Sequence, residues 1–325
     1  MASLRLQGVG GQTALRLSLP RDQVLTLNRD LMVQLTPALS RPLSAKETDL
    51  RTKLVNGELL TQENLEWAQR QIERHQSIGA EVYSFYDKRY PPLLRLIPTP
   101  PPIIYALGDL TPLASPLITV AGTRRPSMDG RRRAEGSLSL IADLSTVGVV
   151  SGLALGIDKI AHQGALARGR YTAAIIGNGL GRCYPESNQT LSDAIVESGG
   201  AILSERPFHS PPTASALIAR DRLQSGLTAV TYIVESGPRG GSLHTARAAL
   251  QQQRALWIPR SLRTILSELQ SREVSWLTSS AHLSEQLEGL ADLHRLLLDQ
   301  AQRLYVSLSI ASEQEERGHP QLSLF

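Results

Sequence analysis

The alternation of short apolar runs with helix-like stretches constrains the fold more than any other feature of this sequence. Six runs of apolar or β-branched residues occur at 117–121, 147–150, 173–177, 201–203, 229–234 and 255–258. Segments with helical spacing separate them, at about 131–145, 158–168, 188–198, 214–224 and 242–253. Strands that are apolar throughout are typical of a parallel sheet covered on both faces. The sequence therefore predicts an α/β fold with a doubly wound, mostly parallel sheet over residues 117–285.

The segments on either side predict smaller units. Residues 1–84 show helical spacing and predict a small helical N-terminal module, in which Asn56 or Thr61 caps a helix that ends near Gly79. Residues 85–116 are rich in proline and predict an extended lead-in that links this module to the sheet. Residues 261–310 predict two or three helices, with a C-terminal helix at 286–310, and the polar residues 311–325 predict a disordered tail.

Composition excludes several classes of protein. Cys183 is the single cysteine of the 325 residues, which excludes an intramolecular disulfide and a thiolate-rich metal site. No apolar stretch approaches the roughly 20 residues of a membrane span, and the N-terminus lacks the apolar core of a secretory signal. We therefore expect a soluble, cytoplasmic protein that does not contact a membrane. Of the 34 basic residues, four are lysines and 30 are arginines. Guanidinium groups suit phosphate, although a preference for arginine codons explains the same composition.

Small and polar residues follow five of the six predicted strands, at the edge where a doubly wound sheet binds its ligands. Glycine lets a ligand approach the backbone, and helix N-termini offer free N–H groups to anions. Tight turns explain any one of these loops, but several together predict a phosphate-bearing ligand along this edge. The residues are Gly122, Thr123, Arg124, Ser151, Gly152, Gly177, Asn178, Gly179, Ser204, Glu205, Arg239, Gly241 and Ser242.

The sequence predicts no cofactor, no metal and no catalytic residue. No G-x-G-x-x-G follows the first strand and no P-loop occurs, which disfavours nicotinamide, flavin and ATP hydrolysis. His162 and His244 have no partner at metal-ligand spacing, and we interpret them as structural. Arg220 and Arg222 alternate around Asp221. They either hold successive phosphates or form a solvated face with an internal salt bridge.

The motifs, taken in order, resemble the DNA-processing protein A family, also called DprA or Smf. The matching segments are YPPLL at 90–94, PIIYALG at 102–108, VAGTR at 120–124, VSGLALGIDKIAHQGAL at 150–166, YPESN at 184–188, SE at 204–205 and GSLHTA at 241–246. The resemblance covers about residues 85–285. It implies a Rossmann-like domain that binds single-stranded DNA, dimerises and delivers the strand to the RecA recombinase during natural transformation, without turnover.

Carried over by position, the resemblance assigns site residues. Arg124, Arg220 and Arg222 hold phosphates. The groove between them is lined by Gly122, Thr123, Ser151, Gly152, Gly241, Ser242 and Thr245.

The chain departs from the family pattern in three places. The family's F-P-x-R-N-R is LIARDR at 217–222, so a base-stacking phenylalanine is missing and Asp221 places a negative charge between two arginines. The family's V-P-G is Ile258-Pro259-Arg260, and no winged-helix module is evident at 261–310. These changes predict a weaker attraction for DNA or an altered ligand.

A second resemblance lies at the C-terminus. The last five residues are similar to the pentapeptide by which bacterial proteins bind the replicative sliding clamp: Gln321, Leu322, Ser323, Leu324 and Phe325. A polar leash that ends in apolar anchors suits insertion into a groove.

Our leading hypothesis is a single-stranded-DNA-binding recombination mediator tethered to the sliding clamp. One alternative is a nucleotide-binding sensor or nucleotide hydrolase. The segment GPRGGS at 237–242 faintly resembles the P-G-G-x-G-T loop of cytokinin-activating phosphoribohydrolases, but their following glutamate is missing, so Glu205 or Glu235 would have to replace it. The other alternative is a scaffold that contacts RecA and the clamp without binding DNA.

Overall fold

The computed structural model describes residues 44–45, 48–49, 52–53, 61–143, 147–263, 266, 269 and 274–318, with only the backbone described at 280 and 307–318. Nine strands within these residues form one sheet. They are β1 (Glu81–Ser84), β2 (Ile103–Gly108), β3 (Leu117–Gly122), β4 (Gly148–Ser151), β5 (Thr172–Ile175), β6 (Ala201–Ser204), β7 (Val230–Glu235), β8 (Ala255–Pro259) and β9 (Val274–Leu277). Their order in space is β1-β2-β6-β5-β4-β3-β7-β8-β9.

Seven neighbouring strands, from β6 to β9, are parallel. The chain winds outward from β3 to β6 on one side and continues from β7 on the other, so the strand order reverses between β3 and β7. Every residue of β4 and β5 is buried, as expected for strands covered on both faces. The predicted doubly wound, mostly parallel Rossmann-type sheet is confirmed.

Helices cover both faces of the sheet. They are α1 (Gln62–Gln76), α2 (Met128–Asp143), α3 (Ile157–Leu166), α4 (Gln189–Glu197), α5 (Ala214–Ala219), α6 (Asp221–Gly226), α7 (Ser242–Gln251), α8 (Ser280–Glu288) and α9 (Leu290–Gly318). Thr61, one of the two predicted caps, begins α1 by accepting a hydrogen bond from the Asn64 amide at 3.3 Å. The predicted helix at 214–224 is two short helices, which meet at Arg220.

The proline-rich segment is not the linker that the sequence predicts. It contributes β2, which pairs antiparallel with β1 on one side and with β6 on the other. The prolines take part in its packing: Tyr90 is fully buried and its hydroxyl donates to the Pro101 carbonyl at 2.7 Å. The segment therefore extends the sheet by an antiparallel edge.

The C-terminal prediction also needs correction. The backbone of α9 stays helical to Gly318, through residues 311–318 that the sequence assigns to a disordered tail. Glu, Gln and Arg dominate this stretch and favour helix, and no proline occurs in it before Pro320. The clamp-binding prediction at Gln321–Phe325 and most of the predicted N-terminal module lie outside the described residues. No helix in the described part of the chain is long and apolar enough to cross a membrane.

Candidate nucleic-acid interface

The loop after β3 is fixed where the strand order reverses. A Cβ atom at Gly122 would lie 2.6 Å from Ile157 Cγ1 and 2.9 Å from the Glu235 carbonyl, so only glycine fits between α3 and β7. The Thr123 amide donates to the Glu235 carbonyl at 2.9 Å, and the Ile157 amide donates to the Thr123 carbonyl at 3.2 Å. These bonds hold the next residues of the loop, Arg124 and Arg125, with their side chains exposed.

Glu235 occupies the N-terminus of α2, which would otherwise attract an anion. Its Oε2 accepts from the Ser127 amide at 3.0 Å, and Ser127 Oγ in turn accepts from the Gly130 amide at 3.0 Å. A Cβ atom at Gly130 would overlap the Glu235 carboxylate. Because a protein carboxylate already neutralises this helix end, the positive charge that this loop exposes is that of its guanidinium groups.

Arg220 forms a buried cluster with Asp158 and Asp221, which we call the Arg220 cluster. Its Nη1 donates to the Ile175 carbonyl at 3.0 Å, its Nη2 lies 3.9 Å from Asp158 Oδ2, and its Nε lies 3.3 Å from Asp221 Oδ1. The guanidinium rests on Gly152, where any Cβ atom would overlap it. The prediction that Arg220 holds a phosphate is therefore corrected: it is an internal cation with two internal carboxylates.

Burial is the largest cause of the pKa shifts of the ionisable groups around Arg220. It raises the pKa of Asp158, and it raises the pKa of Asp221 to about 7, while the charge of Arg220 acts in the opposite direction on both. His162 is fully buried with its Nδ1 2.7 Å from Thr172 Oγ1, and burial together with Arg220 lowers its pKa to about 3. A neutral, hydrogen-bonded imidazole fits the structural role that the sequence predicts.

Arg222 is also committed to partners within the protein. Its two terminal nitrogens donate to the two Glu205 carboxylate oxygens at 2.8 and 2.6 Å, and its Nε donates to the Thr99 carbonyl at 3.1 Å. The side chain is 23% exposed, so the pair lies at the surface of the edge rather than beneath it. A phosphate at Arg222 would have to compete with a bidentate carboxylate.

The remaining predicted residues divide by exposure. Gly241 is exposed at the start of α7, and Gly122 and Thr123 are half-buried. Three hydroxyl residues are buried and correct the expectation that they line a groove: Ser151 Oγ donates to the Val120 carbonyl at 2.6 Å, Ser242 Oγ donates to Ser236 Oγ at 2.8 Å, and Thr245 is 2% exposed. These three side chains lie beneath the surface of the loops.

The comparisons with known proteins decide the family. The family model described as DNA recombination-mediator protein A matches residues 81–293. This chain belongs to the DNA recombination-mediator protein A family. The match begins at the first residue of β1 and includes the proline-rich segment with β2, so it extends beyond the parallel strands.

Relatives from several bacteria support this assignment. The chain is 36% identical over 195 residues to the Smf protein of Synechocystis, a match that covers 58% of this chain and 48% of the relative. It is 33% identical over 196 residues to the DNA processing protein DprA of Bacillus subtilis, covering 59% and 65% respectively. The chain thus spans about half the length of the Synechocystis protein. The X-ray structure of DprA from Streptococcus pneumoniae superposes with a TM-score of 0.59 at 25% identity, covering 92% of this chain and 90% of that one.

This member of the family also carries an exposed aromatic surface that the sequence analysis did not identify. His209 stacks on Phe208 with ring centroids 4.3 Å apart and an interplanar angle of 22°. Its backbone has a φ of +58°, and its ring is exposed at the carboxyl end of β6. The signal in the sequence was the aromatic pair Phe208-His209, which stands two residues after the Ser204-Glu205 match. A ring held in this way can stack on a nucleic-acid base.

The two carboxylates that would have to replace the missing glutamate of a nucleotide hydrolase are bonded to other groups of this chain. Glu205 holds Arg222, and Glu235 caps α2. Within the described residues, no three His, Cys, Asp or Glu side chains come close enough together to hold a metal. The arrangement suits binding of an anionic ligand.

Proposed function

We propose that this chain is a non-catalytic recombination mediator that binds single-stranded DNA along the carboxyl edge of its sheet. The observation that carries the proposal is the exposed guanidinium of Arg124 on a loop held by the backbone bonds of Thr123. Membership of the DNA recombination-mediator protein A family supports it. A Helicobacter pylori DprA structure, described as showing a single-stranded DNA binding mode, shares the fold at 24% identity with a TM-score of 0.56.

The exposed groups follow the edge of the sheet. Arg124 and Arg125 follow β3, Arg239 follows the neighbouring β7, and His209 follows β6. Four strand spacings separate β6 from β7, which is about 19 Å. This length allows phosphates to contact the arginines while a base stacks on His209.

Arg124→Ala is the direct test of this proposal. We expect the variant to bind labelled oligo-dT about tenfold or more weakly than the wild type, because a charge-assisted contact to phosphate is lost. The slope of log affinity against log salt should also decrease in magnitude by about one. Fluorescence anisotropy at several salt concentrations measures both quantities. Arg295→Ala is the matched control, since Arg295 is 72% exposed on α9 and pairs with its neighbour Asp292.

Two results would contradict DNA binding at this edge. One is a wild-type protein with no salt-sensitive affinity for oligo-dT. The other is an equal loss of affinity in Arg124→Ala and Arg295→Ala. Release of free base from nucleoside monophosphates would favour the nucleotide hydrolase instead.

His209 provides a second test, which separates stacking from charge. We expect His209→Asn to weaken oligo-dT binding by about 1–3 kcal/mol at pH 8, because a stacking surface is lost. Asparagine tolerates the positive φ of this position, so the backbone is retained. The salt slope should stay unchanged, since a stacking contact releases no counterions. A change in slope without a change in affinity would argue against a stacking role.

The partners form the finer part of the proposal. We propose that the chain delivers the strand to RecA in the cytoplasm, during natural transformation or repair, which is supported by the description of its family as a recombination mediator. Tethering to the sliding clamp is supported by the pentapeptide at 321–325. A homodimer is supported by α9, which leaves the apolar side chains of Leu296 and Val306 exposed.

A further inference from the structure

A crevice of about 640 Å³ lies between α2 and α8, outside the loops described above, and we call it the α2–α8 crevice. Its floor is formed by Tyr232 of β7 and by the ends of β8 and β9 at Pro259 and Leu277. Leu140 of α2 and Leu283 of α8 form apolar walls. This volume lies within the range of small-molecule binding sites, about 300–1,000 Å³.

Two arginines line one end of the crevice. Arg133 is held in place, since its Nη1 donates to the Val234 carbonyl at 3.1 Å and its Nη2 donates to Ser261 Oγ at 3.4 Å. Arg260 directly follows β8 and is exposed. Among the described residues, no carboxylate forms an ion pair with either arginine. Two guanidinium groups that no described carboxylate neutralises, one of them held in place, are suited to phosphate.

The other end of the crevice has the opposite charge. Asp143 lines it, ten residues after Arg133 along the same helix, which corresponds to about 15 Å. Midway between them, Ser137 Oγ and Tyr232 Oη lie 3.1 Å apart. The crevice therefore offers cations at one end, hydroxyl groups and apolar walls in the middle, and a carboxylate at the far end.

We propose that the α2–α8 crevice binds a nucleotide, with its phosphate at Arg133 and Arg260 and an amino-bearing base toward Asp143. The order of groups along the crevice is guanidinium, hydroxyl and carboxylate. This order matches the phosphate, the sugar and a base that carries a hydrogen-bond donor. The nucleotide is either free or one unit of a DNA strand, and both share this chemistry. Binding of a free nucleotide here does not depend on DNA binding at Arg124, so the two proposals are tested separately.

The experiment uses the full chain and deoxycytidine monophosphate, dCMP, whose base carries an exocyclic amino donor. Calorimetric titration should show dCMP binding that Arg260→Gln and Arg133→Gln each weaken about tenfold, as the loss of a charge-assisted contact predicts. Arg295→Gln, at an exposed residue of α9, should leave it unchanged. Thymidine monophosphate, which lacks the amino group, should bind more weakly than dCMP. The Arg260 side chain is exposed and the described residues form no hydrogen bond or ion pair with it, so its variant tests the site even if Arg133→Gln is unstable.

A parallel anisotropy titration with labelled oligo-dC identifies the source of the nucleotide. If dCMP alone does not bind but Arg260→Gln and Arg133→Gln weaken oligo-dC binding, the crevice holds one unit of a strand. If dCMP fails to bind and both variants bind oligo-dC like the wild type, the inference is overturned. That outcome leaves DNA binding at Arg124 intact. Conversely, dCMP binding lost in Arg260→Gln by a protein that does not bind oligo-dC supports the crevice and contradicts the proposed function.

Discussion

Replacing Arg220 with alanine should lower the free energy of unfolding by about 3–5 kcal/mol near pH 7.5, the loss typical of breaking a buried ion pair. The variant leaves Asp158 and Asp221 buried without their cation, and it leaves the Ile175 carbonyl without its donor. It also opens a void over Gly152, which is glycine because the guanidinium fills that space. Urea denaturation monitored by circular dichroism measures the change.

The pH dependence of this loss identifies its cause. At pH 5 the carboxyl of Asp221, whose pKa burial raises to about 7, is mostly protonated, so less uncompensated charge is buried and the loss should shrink. Arg295→Ala, which breaks an exposed pair, should cost less than about 1 kcal/mol at either pH. If Arg220→Ala were as stable as the wild type and instead lost its affinity for oligo-dT, Arg220 would be a DNA ligand and the Arg220 cluster would not be structural.

The sequence predicted the strands that are buried on both faces of the sheet. Such strands are continuous apolar runs, which can be recognised without knowing which strands pair with them. The predicted runs at 117–121 and 229–234 coincide with β3 and β7 to within one residue. Strands β2 and β9, near the two ends of the sheet, were missed for a physical reason. β2 lies among prolines, and only the two end residues of β9 are buried, so their assignment to the sheet depends on tertiary pairing and not on local pattern.

At the site, too, the sequence predicted what depends on local pattern and missed what depends on contacts between distant residues. Glycines and arginines at the carboxyl edge were predicted because strand ends fix where loops lie. The direction of a side chain was not predictable. Arg220 and Arg222 alternate in the sequence, yet Arg220 reaches Asp158, which lies 62 positions earlier, and Arg222 reaches Glu205. Which carboxylate neutralises an arginine is decided by the packing of α5 and α6 over the sheet.

Because Asp221 is buried by this packing, it should make the stability of the protein depend on pH. Its carboxyl has a pKa raised to about 7 by burial, against about 3.9 in an unfolded chain. Between these values the folded state retains a proton that the unfolded state has released, so stability falls as pH rises through this window. Burial of Asp158 raises its pKa and acts in the same direction, while Arg220 and Arg124 oppose the shift at Asp221.

We therefore expect Asp221→Asn to be more stable than the wild type by about 2–4 kcal/mol at pH 8 and nearly equal to it at pH 4. Asparagine keeps an oxygen for Gln224 Nε2, which donates to Asp221 Oδ1 at 3.0 Å, but needs no buried charge. Asp292→Asn, at an exposed carboxylate, should follow the wild type at both pH values. Equal stability of Asp221→Asn and wild type at pH 8 would show that Asp221 titrates like an ordinary carboxyl. Arg124 is close enough to Asp221 for their charges to interact. If phosphate contacts Arg124, Asp221→Asn should therefore bind oligo-dT more tightly than the wild type at pH 8. The charge at position 221 would then affect DNA affinity as well as stability.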